Sequence, residues 1–317
     1  MQKAPPMLQD SRIYVAGHRG LVGSALLRCL SKMGFSDLIC RTHAELDLCA
    51  QESVNDFFAR EKPEYVFMAA AKVGGIHANA TYPADFIRDN MLMQTNVIDA
   101  AYRNNCKKLL FLGSSCIYPK KCPQPIKESY LLTGPLEPTN EAYAVAKIAG
   151  IKMCQAYRKQ YGFDAVCAMP TNLYGPEDNF HTENSHVVPA LLRRFHEAKI
   201  SGASEVAIWG TGTSRREFLY SDDLAEALLF IMQRYSESEH INVGCGEDMT
   251  ILELARLVAL TTGYTGKIVS DSSMPDGTPQ KLLDISKLSA MGWKPSIGLE
   301  QGLAMAYKNF LSHKDLR

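Results

Sequence analysis

Apolar residues in this chain fall into short unbroken runs, separated by longer stretches where they recur every three or four positions. The first pattern reads as strands buried on both faces, the second as helices with one buried stripe. Residues 12–16 (Arg-Ile-Tyr-Val-Ala) predict a first strand, followed at once by glycines and then a helix over 21–30. A second strand is expected at 38–40, a helix at 54–58 and a third strand at 64–71, nearly all apolar after Glu64. Residues 86–103 are helical in pattern, and 108–112 form a strand ending in Gly113, Ser114 and Ser115. A long proline-free helix follows at 143–161, then a strand at 165–169.

Strands that alternate with helices imply a parallel sheet covered on both faces. Right-handed crossovers then give an α/β fold of the doubly wound (Rossmann) kind, with ligands at the C-terminal ends of the strands. The texture changes from Asn172, and residues 174–186 are polar and turn-rich, as in a long functional loop. Helices near 187–199 and 251–262 are assigned to a smaller C-terminal substrate domain. The expected division is 1–172 with 216–245 for the dinucleotide-binding domain, and 173–215 with 246–317 for the substrate domain. A length of 317 residues fits two domains at roughly 150 residues each.

Composition narrows the class. Lys plus Arg number 34 and Asp plus Glu 34, so net charge gives no case for nucleic acid or an anionic membrane as main partner. No apolar stretch is long enough for a transmembrane helix. The start, residues 1–11, is polar with two prolines, lacks a signal-peptide core, and is expected to be a loose tail. Nine cysteines, scattered and without Cys-x-x-Cys, argue against a disulfide framework or structural zinc and favour a reducing, cytoplasmic setting.

Between the first strand and its helix stand Gly17, His18, Arg19, Gly20, Leu21, Val22 and Gly23. Glycine permits a tight turn and close approach of backbone to a pyrophosphate, and a helix N-terminus supplies N–H groups and a positive dipole end. The spacing is Gly-x-x-Gly-x-x-Gly rather than the commoner Gly-x-Gly-x-x-Gly; its place after a strand and before a helix makes it a dinucleotide site. The second strand ends in Cys40, Arg41, Thr42 and His43, where a site for unphosphorylated ribose would place Asp or Glu. A guanidinium there suits a 2′-phosphate, which favours NADP; Arg19 and Arg41 are the candidates.

Tyr143 and Lys147 are spaced i, i+4 and share one helix face. A nearby, partly desolvated ammonium together with the positive nicotinamide ring is expected to lower the phenol from about 10 towards 7, for which ~4 kcal/mol is needed. Tyr143 then becomes a general acid/base. A Tyr-x-x-x-Lys pair arises about once by chance in a chain of this composition, so position decides. Ser114, at the end of the preceding strand, is placed to bond the same substrate oxygen.

The glycine triad, the strand-end serine and Tyr-x-x-x-Lys together resemble the extended short-chain dehydrogenase/reductase superfamily over nearly the whole chain. Closer segments are Ala-Ala-Ala-Lys-Val-Gly-Gly-Ile at 69–76, Gly-Ser-Ser-Cys-Ile-Tyr-Pro at 113–119 and Pro-Thr-Asn-Leu-Tyr-Gly-Pro at 170–176. Asp-Asn-Phe-His at 178–181 and Asn-Ser-His at 184–186 complete them. These are similar to the branch that epimerises GDP-4-keto-6-deoxy-D-mannose at C3 and C5 and reduces it at C4 with NADPH. The resemblance implies that Cys116 is the base and His186 the acid of epimerisation, with Ser114 and Tyr143 stabilising the enolate oxygen. For the cofactor it implies the 17–23 loop, Leu112, Gly113, Ser114, Ser115, Lys147, Pro170, Thr171, Asn172, Leu173 and His186. For the substrate it implies Arg194 and Arg216 on the pyrophosphate, Trp209 on the guanine or sugar, Asp276, and Lys281 as a weaker addition. It also implies a homodimer through the helices at 86–103 and 143–161. Bacterial members carry Arg where this chain has His43, which leaves Arg19 and Arg41 to hold the 2′-phosphate, with His43 assisting when protonated.

Three other readings compete. A 4,6-dehydratase would carry an Asp-Glu pair where this chain has Ser115 and Cys116, and a 4-epimerase would leave Cys116 and His186 idle. A non-catalytic NADP-binding protein has no need of Tyr143, Lys147 and Ser114 together. His181 and His186 lack the carboxylates and spacing of a metal site, and no metal is expected.

Overall fold

The computed structural model describes residues 7–312 except 182–184 and 275. Residues 1–6 of the expected tail and Asn184 of the 184–186 segment therefore lie outside the described residues. The first half runs β1 (Ile13–Ala16), α1 (Leu21–Lys32), β2 (Leu38–Ile39), α2 (Gln51–Glu61), β3 (Tyr65–Met68), α3 (Ile76–Thr81), α4 (Pro83–Arg103), β4 (Lys108–Leu112), α5 (Glu141–Tyr161) and β5 (Ala165–Pro170). The second half adds β6 (Asn172–Tyr174), α6 (Val187–Ser201), β7 (Glu205–Trp209), β8 (Arg215–Tyr220), α7 (Ser221–Arg234), β9 (Ile241–Val243) and β10 (Asp248–Thr250). It closes with α8 (Ile251–Thr262), β11 (Lys267–Asp271), β12 (Gln280–Lys281), α9 (Ser286–Ala290) and α10 (Leu299–Ser312).

The main sheet is six-stranded and parallel, in the order β2-β1-β3-β4-β5-β9. Alternate residues of each strand enter two separate cores. Tyr14, Val66, Leu109 and Cys167 face the core packed by α2, α4 and α5, while Ile13, Phe67, Leu110 and Val166 face the one packed by α1 and α7. Burial on both faces explains why these strands read as continuous apolar runs. Each fully buried side chain of this size contributes roughly 1.5–3 kcal/mol of transfer free energy. The strand order reverses between β1 and β3, and that switch point is where a crevice opens at the C-terminal edge of such sheets.

The remaining strands build a smaller region. β8 is flanked by β10 and β12 and also pairs in parallel with β6, while β7 pairs with β11. Its own core holds Tyr174, Phe195, Ile208, Phe218, Tyr220, Leu254 and Phe310, packed by α6, α8 and α10. β8 belongs to both regions, since Leu219 enters the α1–α7 core while Phe218 and Tyr220 enter this one. None of the helices among the described residues is long and apolar enough to cross a membrane.

Two expectations needed adjustment. The third strand ends at Met68, not at residue 71. Ala69 to Ala71 leave the sheet into the cleft, and their small side chains let Ala70 pack directly on the Gly17 turn, so apolar character there reflects close approach rather than pairing. The expected loop over 174–186 begins one residue late, because Tyr174 still belongs to β6.

Candidate active site

A cleft of about 700 Å³ opens at the C-terminal ends of β1, β3, β4 and β5 and runs to the smaller region. At one end the chain turns from β1 into α1. Gly17 has φ +83°, and a Cβ there would stand 2.7 Å from the Ala70 backbone. A Cβ on Gly23 would meet the Gly17 carbonyl oxygen at 2.1 Å. The helix opens at Gly20 with no side-chain cap and no acidic residue in its first turn. Its leading N–H groups have no intrahelical partner and face the cleft, which fits a pyrophosphate.

The basic residues near this loop sit differently from the expectation. Arg41 lines the cleft, but its guanidinium bonds Glu61 at 2.7 Å and the Cys40 carbonyl at 2.7 Å, and lies over the Phe57 ring. Glu61 also receives Arg12 at 3.0 Å. His43 lines the cleft with its side chain 85% exposed and 3.8 Å from Asp47. Arg19 is exposed, and neither it nor His18 is among the described residues lining the cleft. The other expected cofactor residues line it, from Leu112–Ser115 and Lys147 to Pro170–Leu173 and His186.

Ser114, Cys116, Tyr143 and Lys147 come together where β4 gives way to a short 3-10 turn against α5. Ser114 Oγ accepts from the Cys116 N–H at 3.4 Å. Tyr143 is buried against Phe86, and burial pushes its phenol well up, with the Cys116 sulfur adding to the rise and a hydrogen bond with Ser114 opposing it. Burial of the phenol thus opposes the lowering expected from the Lys147 ammonium and the nicotinamide ring together. The Lys147 ammonium lies 5.8 Å from the Tyr143 ring centre, yet donates to the Leu112 carbonyl at 2.9 Å and sits over Phe111. Burial lowers it to about 8, so it remains mostly a cation at neutral pH.

Cys116 is half-buried and unpaired, and its sulfur accepts from Asn140 Nδ2 at 3.3 Å and Lys281 Nζ at 3.6 Å. His186 opens α6 and lines the same cleft. The residue is exposed, yet desolvation first, and the Lys281 charge second, hold its imidazole below the usual value. The expected substrate residues Arg194, Trp209, Arg216, Asp276 and Lys281 all line the far end. Arg194 lies 5.8 Å over the Trp209 ring and donates to the Ala207 carbonyl. Burial lowers both Arg194 and Arg216 from their ordinary values. Asp276 turns its carboxylate to the Thr211 N–H at 2.8 Å and hydroxyl at 3.1 Å, so part of its work is to hold that turn.

Two cleft residues escaped sequence reasoning in their roles. Asn140, just before α5, reads as an ordinary helix cap. Asp178 was noticed only inside a resembling segment. Burial pushes its carboxyl up to about 7, against one hydrogen bond from the Asn179 N–H, and its Oδ2 is buried without a partner among the described residues. No local pattern marks an aspartate that will be desolvated.

The doubly wound sheet, the glycine turn and the serine–tyrosine–lysine cluster define a nucleotide-cofactor oxidoreductase or epimerase of the short-chain type. The chain belongs to the NAD dependent epimerase/dehydratase family, which matches residues 13–244. Its relatives include GDP-L-fucose synthases. It is 65% identical to the probable GDP-L-fucose synthase 1 of Oryza sativa subsp. japonica, over 96% of this chain and 93% of that protein. It is 55% identical to the GDP-L-fucose synthase of Escherichia coli (strain K12), over 97% and 99% respectively. Among solved structures, the GDP-L-fucose synthetase of Naegleria fowleri bound to NADP is similar at TM-score 0.90 and 28% identity, covering 99% of this chain and 98% of that one.

Proposed function

We infer that the chain converts GDP-4-keto-6-deoxy-D-mannose to GDP-L-fucose by epimerisation at C3 and C5 and NADPH-dependent reduction at C4. The observation that carries this is the meeting of Cys116 and His186 with Ser114, Tyr143 and Lys147 in one cleft, in a chain 65% identical to a relative so named. The C4 ketone acidifies the C–H bonds at C3 and C5. Cys116 removes each proton, Ser114 and Tyr143 support the charge that moves onto the C4 oxygen, and His186 returns a proton to the opposite face. Bound NADPH supplies the hydride for C4. Tyr143 delivers the proton to the C4 oxygen, with the Lys147 cation close by. The glycine turn and α1 would hold the pyrophosphate, and Arg41 and His43, which line the same cleft, would meet the 2′-phosphate. Arg194, Trp209, Arg216 and Asp276 grip the GDP end.

Three finer readings belong to the same proposal. Separate helix-packed cores support a dinucleotide-binding and a substrate region, although Leu288 and Trp293 of the expected substrate domain enter the first core and Phe218 and Tyr220 of the expected dinucleotide domain enter the second. Met91 and Leu92 on α4 and Val145 and Tyr161 on α5 are exposed apolar residues on neighbouring helices, which supports a homodimer through that face. Nine free cysteines support residence in a reducing compartment such as the cytoplasm. The test of function is NADPH oxidation across a panel of 4-keto sugar nucleotides, with exchange of the C3 and C5 hydrogens followed in deuterium oxide. Turnover confined to the GDP-linked 4-keto-6-deoxy sugar, with exchange at both carbons, is expected. Reduction without exchange would overturn the epimerase half.

A further inference from the structure

Asn140 stands at the N-terminus of α5, where an asparagine ordinarily accepts a hydrogen bond from its own helix. It makes no such cap. Its Nδ2 donates instead to the Cys116 sulfur, and its Oδ1 is buried without a partner among the described residues. A local rule broken in this way, beside a reactive group, marks function rather than stability.

Lys281 reaches the same sulfur from 165 positions away in sequence. β12 places it beside Arg216 of β8, in parallel register. Among the described residues the sulfur is its hydrogen-bond partner, and it forms no ion pair with a carboxylate. Asn140 from the start of α5 and Lys281 from β12 bond the sulfur, Ser114 bonds the Cys116 N–H from its own turn, and Tyr143 of α5 and Arg216 of β8 are near enough to interact with it electrostatically. Two of these are cations and two donate directly to sulfur. A neutral thiol is a weak acceptor, whereas a thiolate is the form that such donors and cations favour.

We propose that Lys281 is a positioning residue for epimerisation, which with Asn140 holds the Cys116 sulfur in its proton-accepting anionic form. The proposal rests on the reading of Cys116 as the base. In the step it serves, a sulfur lone pair takes the proton from C3 or C5. The C–H electrons pass into the C4 carbonyl as an enolate, and His186 gives a proton to the opposite face, leaving thiol and neutral imidazole to exchange protons with water before the next cycle. The same ammonium interacts electrostatically with His186 and, after desolvation, lowers its imidazole. This differs from a contact with the substrate pyrophosphate, because it operates in the free enzyme.

The test is the pH dependence of iodoacetamide alkylation at Cys116, read by peptide mass spectrometry on the substrate-free protein. Lys281→Met is expected to move the midpoint up by a pH unit or more, a tenfold or greater loss of alkylation rate at neutral pH, and Lys281→Arg to restore most of it. Asn140→Ala gives an independent reading in the same direction. Wild-type profiles in Lys281→Met and Asn140→Ala, even with weakened substrate binding, would overturn the proposal. C3 and C5 exchange in Cys116→Ser separates the two claims. Full exchange there sinks the base assignment, and with it the purpose assigned to Lys281. Lost exchange with unmoved alkylation profiles sinks the Lys281 role alone.

Discussion

Replacing Gly23 by alanine should damage the cofactor site through one defined contact. The added Cβ would lie 2.1 Å from the Gly17 carbonyl oxygen, 2.6 Å from its carbonyl carbon and 2.7 Å from the His18 Cα. All three are backbone atoms, so no side chain can swing aside. Restoring ordinary contact requires the turn and the first turn of α1 to part by on the order of 1 Å, an overpacking cost of about 1–3 kcal/mol. For a region of this size that lowers Tm by roughly 2–4 °C per kcal/mol. The same displacement pulls N–H groups away from the pyrophosphate. Losing one charge-assisted hydrogen bond costs about 1.5–3 kcal/mol, which is roughly a 10- to 100-fold rise in the NADPH dissociation constant. Gly20→Ala is the control, because its Cβ would meet only the Gly17 oxygen, at 3.5 Å, and its φ is ordinary. Thermal unfolding without cofactor, with titration of NADPH fluorescence, measures both quantities. A Gly23→Ala protein as stable as Gly20→Ala, binding NADPH within twofold of wild type, would refute the packing argument.

Tyr143→Phe should abolish NADPH oxidation while leaving NADPH affinity within a fewfold; rates above a few per cent of wild type would remove Tyr143 as the proton donor. Asp178 has a folded carboxyl raised from 3.8 to about 7, so the native state holds a proton that the unfolded chain has lost. Its contribution is therefore present at pH 4 and declines as pH rises towards 7, by at most about 4 kcal/mol. Asp178→Asn should then gain stability relative to wild type at pH 8 and less than half as much at pH 5; a parallel pair of Tm–pH curves would contradict this. Glu61→Gln should loosen Arg41, which it holds at 2.7 Å, and bring the dissociation constants for NADP and NAD closer together by severalfold in calorimetric titration. An unchanged ratio would show that Arg41 does not need that anchor.

The sheet was legible because its residues are buried on both faces. β4 at Lys108–Leu112 and α8 at Ile251–Thr262 fall on the expected limits. Where the reading stretched, as past Met68, small apolar residues were doing the work of close approach. The glycine turn and the Tyr143–Lys147 spacing were visible since both are local. The neighbourhood of Cys116 was not, because Lys281 arrives through a strand pairing far along the chain and Asn140 carries an ordinary capping signature. The burial of Tyr143 was not legible, because spacing gives proximity and says nothing about desolvation or about the Leu112 carbonyl to which Lys147 donates.

β8 carries one more implication. Its alternating side chains feed two cores, and the fully buried Glu217 between them accepts from the Gly246 N–H at 2.7 Å and the Leu283 N–H at 3.0 Å. A lobe that swings needs a seam crossed by few contacts, and here a shared strand and a doubly bound carboxylate stitch that seam shut. Cutting the chain between β5 and β6 would strip the main sheet's core of α7 and β9, while the smaller region's core, drawn entirely from residue 174 onward, would stay in one piece.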